Sequence, residues 1–164
     1  MRERKTTMAK DSGMLRAFAW CTVLTVVVIF SAYNVTSRNL TFLAGPLLIG
    51  LGLLPLAVLK GLGQRLASVG ADVAFGAFDT GFMTVAALAG ATFAGILGAV
   101  VGAGAGDAIT DAWAGLIEGK VASWLRDKGI DEARRPFNTS MGKMSGCLLG
   151  AGVTVSLASL IGVL

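Results

Sequence analysis

Residues 66–106 read LASVGADVAFGAFDTGFMTVAALAGATFAGILGAVVGAGAG. The stretch is about forty residues long, twice the ~20 that carry one helix across ~30 Å of hydrocarbon. Read as a single crossing, it contributes roughly residues 82–104 and the chain has four spans. Read as a hairpin, it contributes two helices, about 70–92 and 97–119, and the chain has five. The choice sets the side of the membrane on which everything after residue 119 lies.

Three flanking segments are unambiguous: LRAFAWCTVLTVVVIFSAY (15–33), LTFLAGPLLIGLGLLPLAVL (40–59) and MSGCLLGAGVTVSLASLIGVL (144–164). Each matches one helical crossing. The first has too long an apolar core for a signal peptide, and no small-residue cleavage site follows it, so it reads as a retained anchor. Basic residues then choose between the topologies. Arg2, Arg4, Lys5, Lys10 and Arg16 place the head in the cytoplasm. The first loop carries only Arg38, and the second carries Lys60 and Arg65. The segment 120–143 carries Lys120, Arg126, Lys128, Arg134, Arg135 and Lys143, which four spans would leave outside and five return to the cytoplasm. The expected fold is therefore an all-α membrane bundle of five helices, N-terminus in. It has a basic tail over residues 1–13 and one transmembrane domain over 14–164. In the cytoplasmic loop 120–143, Val121, Trp124, Leu125 and Ile130 mark a short amphipathic helix.

Composition agrees. Of 164 residues 54% are apolar and 15% charged, with 23 glycines, two cysteines and no histidine, and the mean hydropathy is +0.73. Soluble domains carry about 25% charged residues. So apolar a chain excludes disorder. Two cysteines in apolar runs exclude a disulfide scaffold. Without histidine there is neither a Cys/His zinc site nor histidine catalysis within the chain. The basic residues flank apolar stretches, which reads as membrane orientation and not nucleic-acid binding. No nucleophile–base pair, HExxH or cofactor fingerprint is present, so no enzyme and no resident cofactor are expected. The GAGAG at 102–106 lacks the Lys-Ser/Thr that a phosphate-binding loop requires.

The hairpin reading places carboxylates at membrane depth. Asp72 and Asp79 fall on its first helix, and Asp107, Asp111 and Glu118 on its second. A lone carboxylate at mid-bilayer costs about 2.5–3.5 kcal/mol, so such groups face protein or a wet cavity and point to an ion or proton path. At 100° per residue Asp72, Gly76, Asp79 and Met83 lie within about 60°, and Asp107, Asp111 and Glu118 within about 40°. With the turn near Gly95, facing positions total about 190. Asp72 then meets Glu118, Asp79 meets Asp111, and Met83 meets Asp107. Facing carboxylates repel unless protonated or bridged by a cation. Oxygen ligands suit Mg²⁺, Mn²⁺ or Fe²⁺, and the Met83 thioether leans toward a transition metal. The expected metal-handling residues are Asp79, Asp111, Asp107, Met83, Asp72 and Glu118. The weak repeat DVAFGAFD (72–79) and DAWAGLIE (111–118) sets Gly76 and Gly115 beside the acids. Two GxxxGxxxG runs, Gly98/Gly102/Gly106 and Gly142/Gly146/Gly150, read as close helix-packing faces.

FGAFDTGFMTVAALAG (75–90) followed by GDAITDAWAGLIEGK (106–120) resembles the first two membrane helices of vacuolar iron transporter (VIT)-type proteins, over about 45 residues. There a helix of the form FGxxDGxxTxxAxxxG carries a metal- or proton-handling aspartate, and the next returns to the cytoplasm. The resemblance implies that role for Asp79, aligns Thr84 near the family's threonine and Asp107 with its Ala-Asp acid, and sets Glu118 near its terminal acid. The functional expectation is passage of a divalent, iron- or manganese-like cation, coupled to protons, between the two hairpin helices of a homodimer. The expected location is a plasma (inner) membrane, or an organellar one in a eukaryote. The alternative is a non-catalytic membrane scaffold that packs against partners by its glycine faces.

Overall fold

The computed structural model describes residues 2–127 and 136–164. They form helices α1 (Arg2–Ser37), α2 (Thr41–Gly61), α3 (Gly70–Asp127) and α4 (Pro136–Leu160), with a 3-10 turn at Leu66–Val69 before α3. The fold is all-α, and the four helices are long and apolar enough to cross a membrane. Helix α1 begins well ahead of its apolar run, which covers Phe18–Ser37, so the basic head continues the same helix. Asn39 turns the chain into α2 at φ 53°, a left-handed conformation that asparagine tolerates.

Helix α3 is not straight. Ala94 (φ −141°, ψ 25°) and Gly95 (φ 57°, ψ −135°) interrupt it, and its two arms, 70–93 and 96–127, fold back on each other. The Gly95 conformation is one that L side chains rarely adopt, and nothing lies within 4 Å of where a Cβ would stand. Glycine is thus required here by backbone geometry and not by crowding. The arms close along a line of small residues, with Gly98 on Gly90, Gly102 on Ala86 and Ala87, and Gly106 on Met83. The turn expected near Gly95 is present. The register differs by one to two residues from the expected one: Met83 faces Gly106 and Asp79 faces Thr110, totals of 189, while Gly98 on Gly90 and Gly102 on Ala86 total 188.

Helix α4 is the centre of the bundle. Gly142, Gly146 and Gly150 let its backbone approach Val69 of the 3-10 turn and Val73 and Ala77 of the first arm of α3, and α4 and that arm run parallel. On its α2 side the helices are antiparallel, with Gly152 against Ile49 and Gly45 against Ser156. There the buried Ser145 hydroxyl donates to the Gly52 carbonyl at 2.7 Å. The second glycine run is therefore used within the chain and is not a free dimer face. Helix α4 also starts eight residues earlier than the sequence indicated, at Pro136 in place of Met144. The second arm of α3 remains helical to Asp127, taking in Val121, Trp124 and Leu125 of the expected loop helix, while Ile130 lies outside the described residues.

A small core of Leu24, Leu59, Val69 and Met141 ties the four helices together where α2 ends and where α3 and α4 begin. Removing a buried leucine side chain costs about 2–5 kcal/mol. Leu59→Ala is expected to fall in that range, measured by reversible unfolding in mixed micelles, because Leu59 is fully buried.

Candidate functional site

The site is built at the seam of the hairpin. Asp79 lies fifteen residues before Ala94, about 22 Å below the turn at 1.5 Å per residue. The tip is itself apolar and open, with Phe93 90% and Ile96 87% exposed. Asp79 is half-buried, and its Oδ1 accepts a hydrogen bond from the Thr110 hydroxyl on the opposite arm. Thr110 is 3% exposed, and its Oγ1 also stands 3.0 Å from the Gly106 and 3.0 Å from the Asp107 carbonyl oxygens.

A hydroxyl has one proton to donate and lone pairs to accept with. An ionised Asp79 accepts the hydrogen bond that the Thr110 hydroxyl donates. A protonated Asp79 can donate to Thr110 Oγ1, whose own proton then turns to the Gly106 or Asp107 carbonyl. One turn away, the Thr84 hydroxyl donates to the Thr80 carbonyl at 2.6 Å, and the Thr154 hydroxyl donates to the Gly81 carbonyl across α3 and α4 at 3.4 Å.

The other expected residues are placed as follows. Met83 is half-buried, and its backbone packs against Gly106. Asp72 is buried at 7% exposure under α4, next to Gly142, about 10 Å from Asp79 along the arm. Asp107 and Asp111 are exposed on the second arm, beside the seam and not across it from Asp79 and Met83. Glu118 belongs to the helical backbone of α3, and its side chain lies outside the described residues. Among the described residues no three Asp, Glu, Cys or His groups gather closely enough to hold a metal ion. In place of the expected Asp79–Asp111 rung stands a carboxylate–hydroxyl pair, Asp79 with Thr110, while the expected Asp72–Glu118 rung involves a side chain outside the described residues.

No family model, no curated protein and no solved structure matches the chain. Thr110 is the residue that sequence reasoning missed. Its signal was the spacing, because it continues Gly98, Gly102 and Gly106 by one further step of four and so shares their inward face.

Proposed function

We infer that the chain crosses the membrane five times and moves a cation along the hairpin seam, with Asp79 as the intramembrane binding group. The observation that carries this reading is the half-buried Asp79 bonded to Thr110 across two glycine-packed helices. Carboxylates at membrane depth are costly and typically mark ion or proton paths. The asymmetry of basic residues in the sequence supports five crossings, since Arg38 is then the one Lys or Arg left in a loop on the non-cytoplasmic side. Asp72, about two turns from Asp79 toward the start of α3, is placed to pass a cation to it. Oxygen donors of this kind suit protons and hard or borderline divalent ions such as Mn²⁺ and Fe²⁺. The likeness of 75–120 to the first hairpin of vacuolar iron transporters points to the same ion class. Any full coordination shell needs ligands beyond Asp79 and Thr110, from water, from Met83 or from a second copy.

The scaffold alternative loses its main support. Both glycine runs that it relied on for partners are filled by this chain's own helices.

The test is flux in sealed vesicles containing the purified chain, with Mn²⁺ and a proton gradient as probes. Asp79→Asn keeps the shape and the contact with Thr110 but loses the charge. It is expected to lower transport at least tenfold, whereas Thr110→Val, which removes only the hydroxyl partner, lowers it less. Wild-type flux in Asp79→Asn overturns the assignment.

A further inference from the structure

Away from the seam, the connection between α2 and α3 sets two exposed cations and two exposed leucines on one short segment. Residues 60–66 read KGLGQRL. Lys60 and Arg65 are exposed, as are Leu62 at 50% and Leu66 at 39%. No acidic residue occurs between Asp11 and Asp72. Among the described residues neither Lys60 nor Arg65 has an ion-pair partner.

The backbone holds this segment in one shape. The Gly63 amide donates to the Lys60 carbonyl at 3.0 Å and the Gln64 amide to the Leu59 carbonyl at 2.9 Å, with Gly63 at φ 71°. This glycine closure of a helix C-terminus turns the chain back at the last turn of α2. Beyond it the Ser68 amide and hydroxyl both donate to the Arg65 carbonyl, at 3.0 and 2.7 Å. From α4, the Asn138 side-chain amide donates to Gln64 Oε1 at 3.3 Å and to Ser68 Oγ at 3.4 Å. Leu59 and Val69, which bracket the segment, are buried in the core that joins the four helices. The two cations therefore stand on a fixed frame, and little backbone order has to be gained when they bind something.

The surroundings select the partner. Helix α2 is apolar enough to cross a membrane, and Lys60 lies in its last turn. The segment thus sits where hydrocarbon gives way to headgroups. Long basic side chains at that level extend their charges outward while their stems stay in apolar surroundings. Leucines exposed beside them are covered by acyl chains. A soluble anion would satisfy the cations and leave the leucines in water; a zwitterionic lipid would cover the leucines and bring its own cation to compete. An anionic lipid suits both halves, because its phosphate accepts charge-assisted hydrogen bonds from ammonium and guanidinium groups.

We propose that the α2–α3 connection binds the phosphodiester headgroup of an anionic phospholipid, held by Lys60 and Arg65, with Leu62 and Leu66 against its acyl chains. Because the segment is bonded to α4 and anchored at Leu59 and Val69, the bound lipid stabilises the bundle where α2, α3 and α4 meet. The inference rests on the membrane spans and not on cation passage, so a chain that binds the lipid without transporting overturns only the functional reading.

The test adds phosphatidylglycerol or phosphatidylcholine of identical acyl chains to the delipidated full chain in mild detergent. Native mass spectrometry reads the lipid retained, and thermal unfolding reads the stabilisation. The parent chain is expected to retain phosphatidylglycerol at least tenfold over phosphatidylcholine and to unfold several degrees higher with it. Lys60→Gln combined with Arg65→Gln is expected to abolish both effects while the helical circular dichroism stays unchanged. Arg38→Gln, in the α1–α2 turn, should keep both, and so should Lys60→Arg combined with Arg65→Lys. Equal retention of the two lipids by the parent chain, or a preference unchanged in the double glutamine variant, overturns the proposal. Stabilisation by soluble glycerophosphate as large as that by phosphatidylglycerol also overturns it, since the site would then take a free anion and not a lipid.

Discussion

Gly146→Leu is expected to leave no native bundle. A Cβ at this position would stand 2.9 Å from the Ala77 amide nitrogen and 2.9 Å from the Val73 carbonyl carbon, both backbone atoms that cannot turn aside. Four residues on, a Cβ at Gly150 would lie 2.8 Å from the Ala77 Cα, so the helices cannot escape by sliding along their shared axis. In a bilayer there is little hydrophobic gain from bringing helices together, and close van der Waals packing between small residues does that work. Separating α4 from the first arm of α3 therefore removes the contact that organises the bundle, and it uncovers Asp72 beside Gly142. The expected results are loss of a monodisperse peak on size exclusion in mild detergent and a collapse of unfolding free energy by several kcal/mol, beyond the overpacking cost of about 1–3 kcal/mol seen in adaptable cores. Gly104→Leu is the control. The same substitution on the same kind of helix meets open space there and is expected to leave the monomer fold intact.

That contrast shows which part of the molecule was legible beforehand. The all-α fold, its long apolar helices, the hairpin and the turn followed from hydropathy and one glycine, all of them local signals. The first glycine run also gave its face correctly, as Gly98, Gly102 and Gly106 do pack against a neighbouring helix. The neighbour is the other arm of the hairpin, and this has a consequence for the acids. Asp107 and Asp111 follow Gly106 and Thr110 by one residue each, hence by about 100° around the helix. If the glycines face the first arm, the carboxylates cannot also face it. A register difference of a single residue between an assumed total of 190 and the 189 observed at Asp79 and Thr110 separates a carboxylate pair from a carboxylate–hydroxyl pair. Turn geometry at Ala94 and Gly95 sets that residue, and dihedral angles are not written in hydropathy. The partners of α4 were illegible for a different reason. Gly142, Gly146 and Gly150 announce a close approach but do not say whether another chain or a helix some seventy residues earlier makes it.

The same dependence on one seam makes Gly98→Leu the other severe substitution, and its failure should look different. A Cβ at Gly98 would stand 2.7 Å from the Gly90 carbonyl carbon and 3.1 Å from the Ala94 Cβ, so the arms must part just below the turn. The α3–α4 and α2–α4 contacts lie on other faces of other residues and are untouched. Gly98→Leu is thus expected to retain the core around Leu59 and Met141 and to splay only the second arm. Spreading the arms separates Thr110 from Asp79, which leaves the carboxylate without its hydroxyl. A cysteine pair placed at Asp79 and Thr110, which face each other across the closed seam, reads this directly: in the Cys21→Ala, Cys147→Ala background it should crosslink efficiently in the parent chain and at least tenfold less with Gly98→Leu, with flux read in chains that keep Asp79 and Thr110. Cation flux should fall with the crosslink, to the level of Asp79→Asn, while Gly146→Leu loses flux only because the bundle is lost. If Gly98→Leu opened the seam and transport persisted, the closed hairpin would be a structural joint, and the cation would have to travel elsewhere.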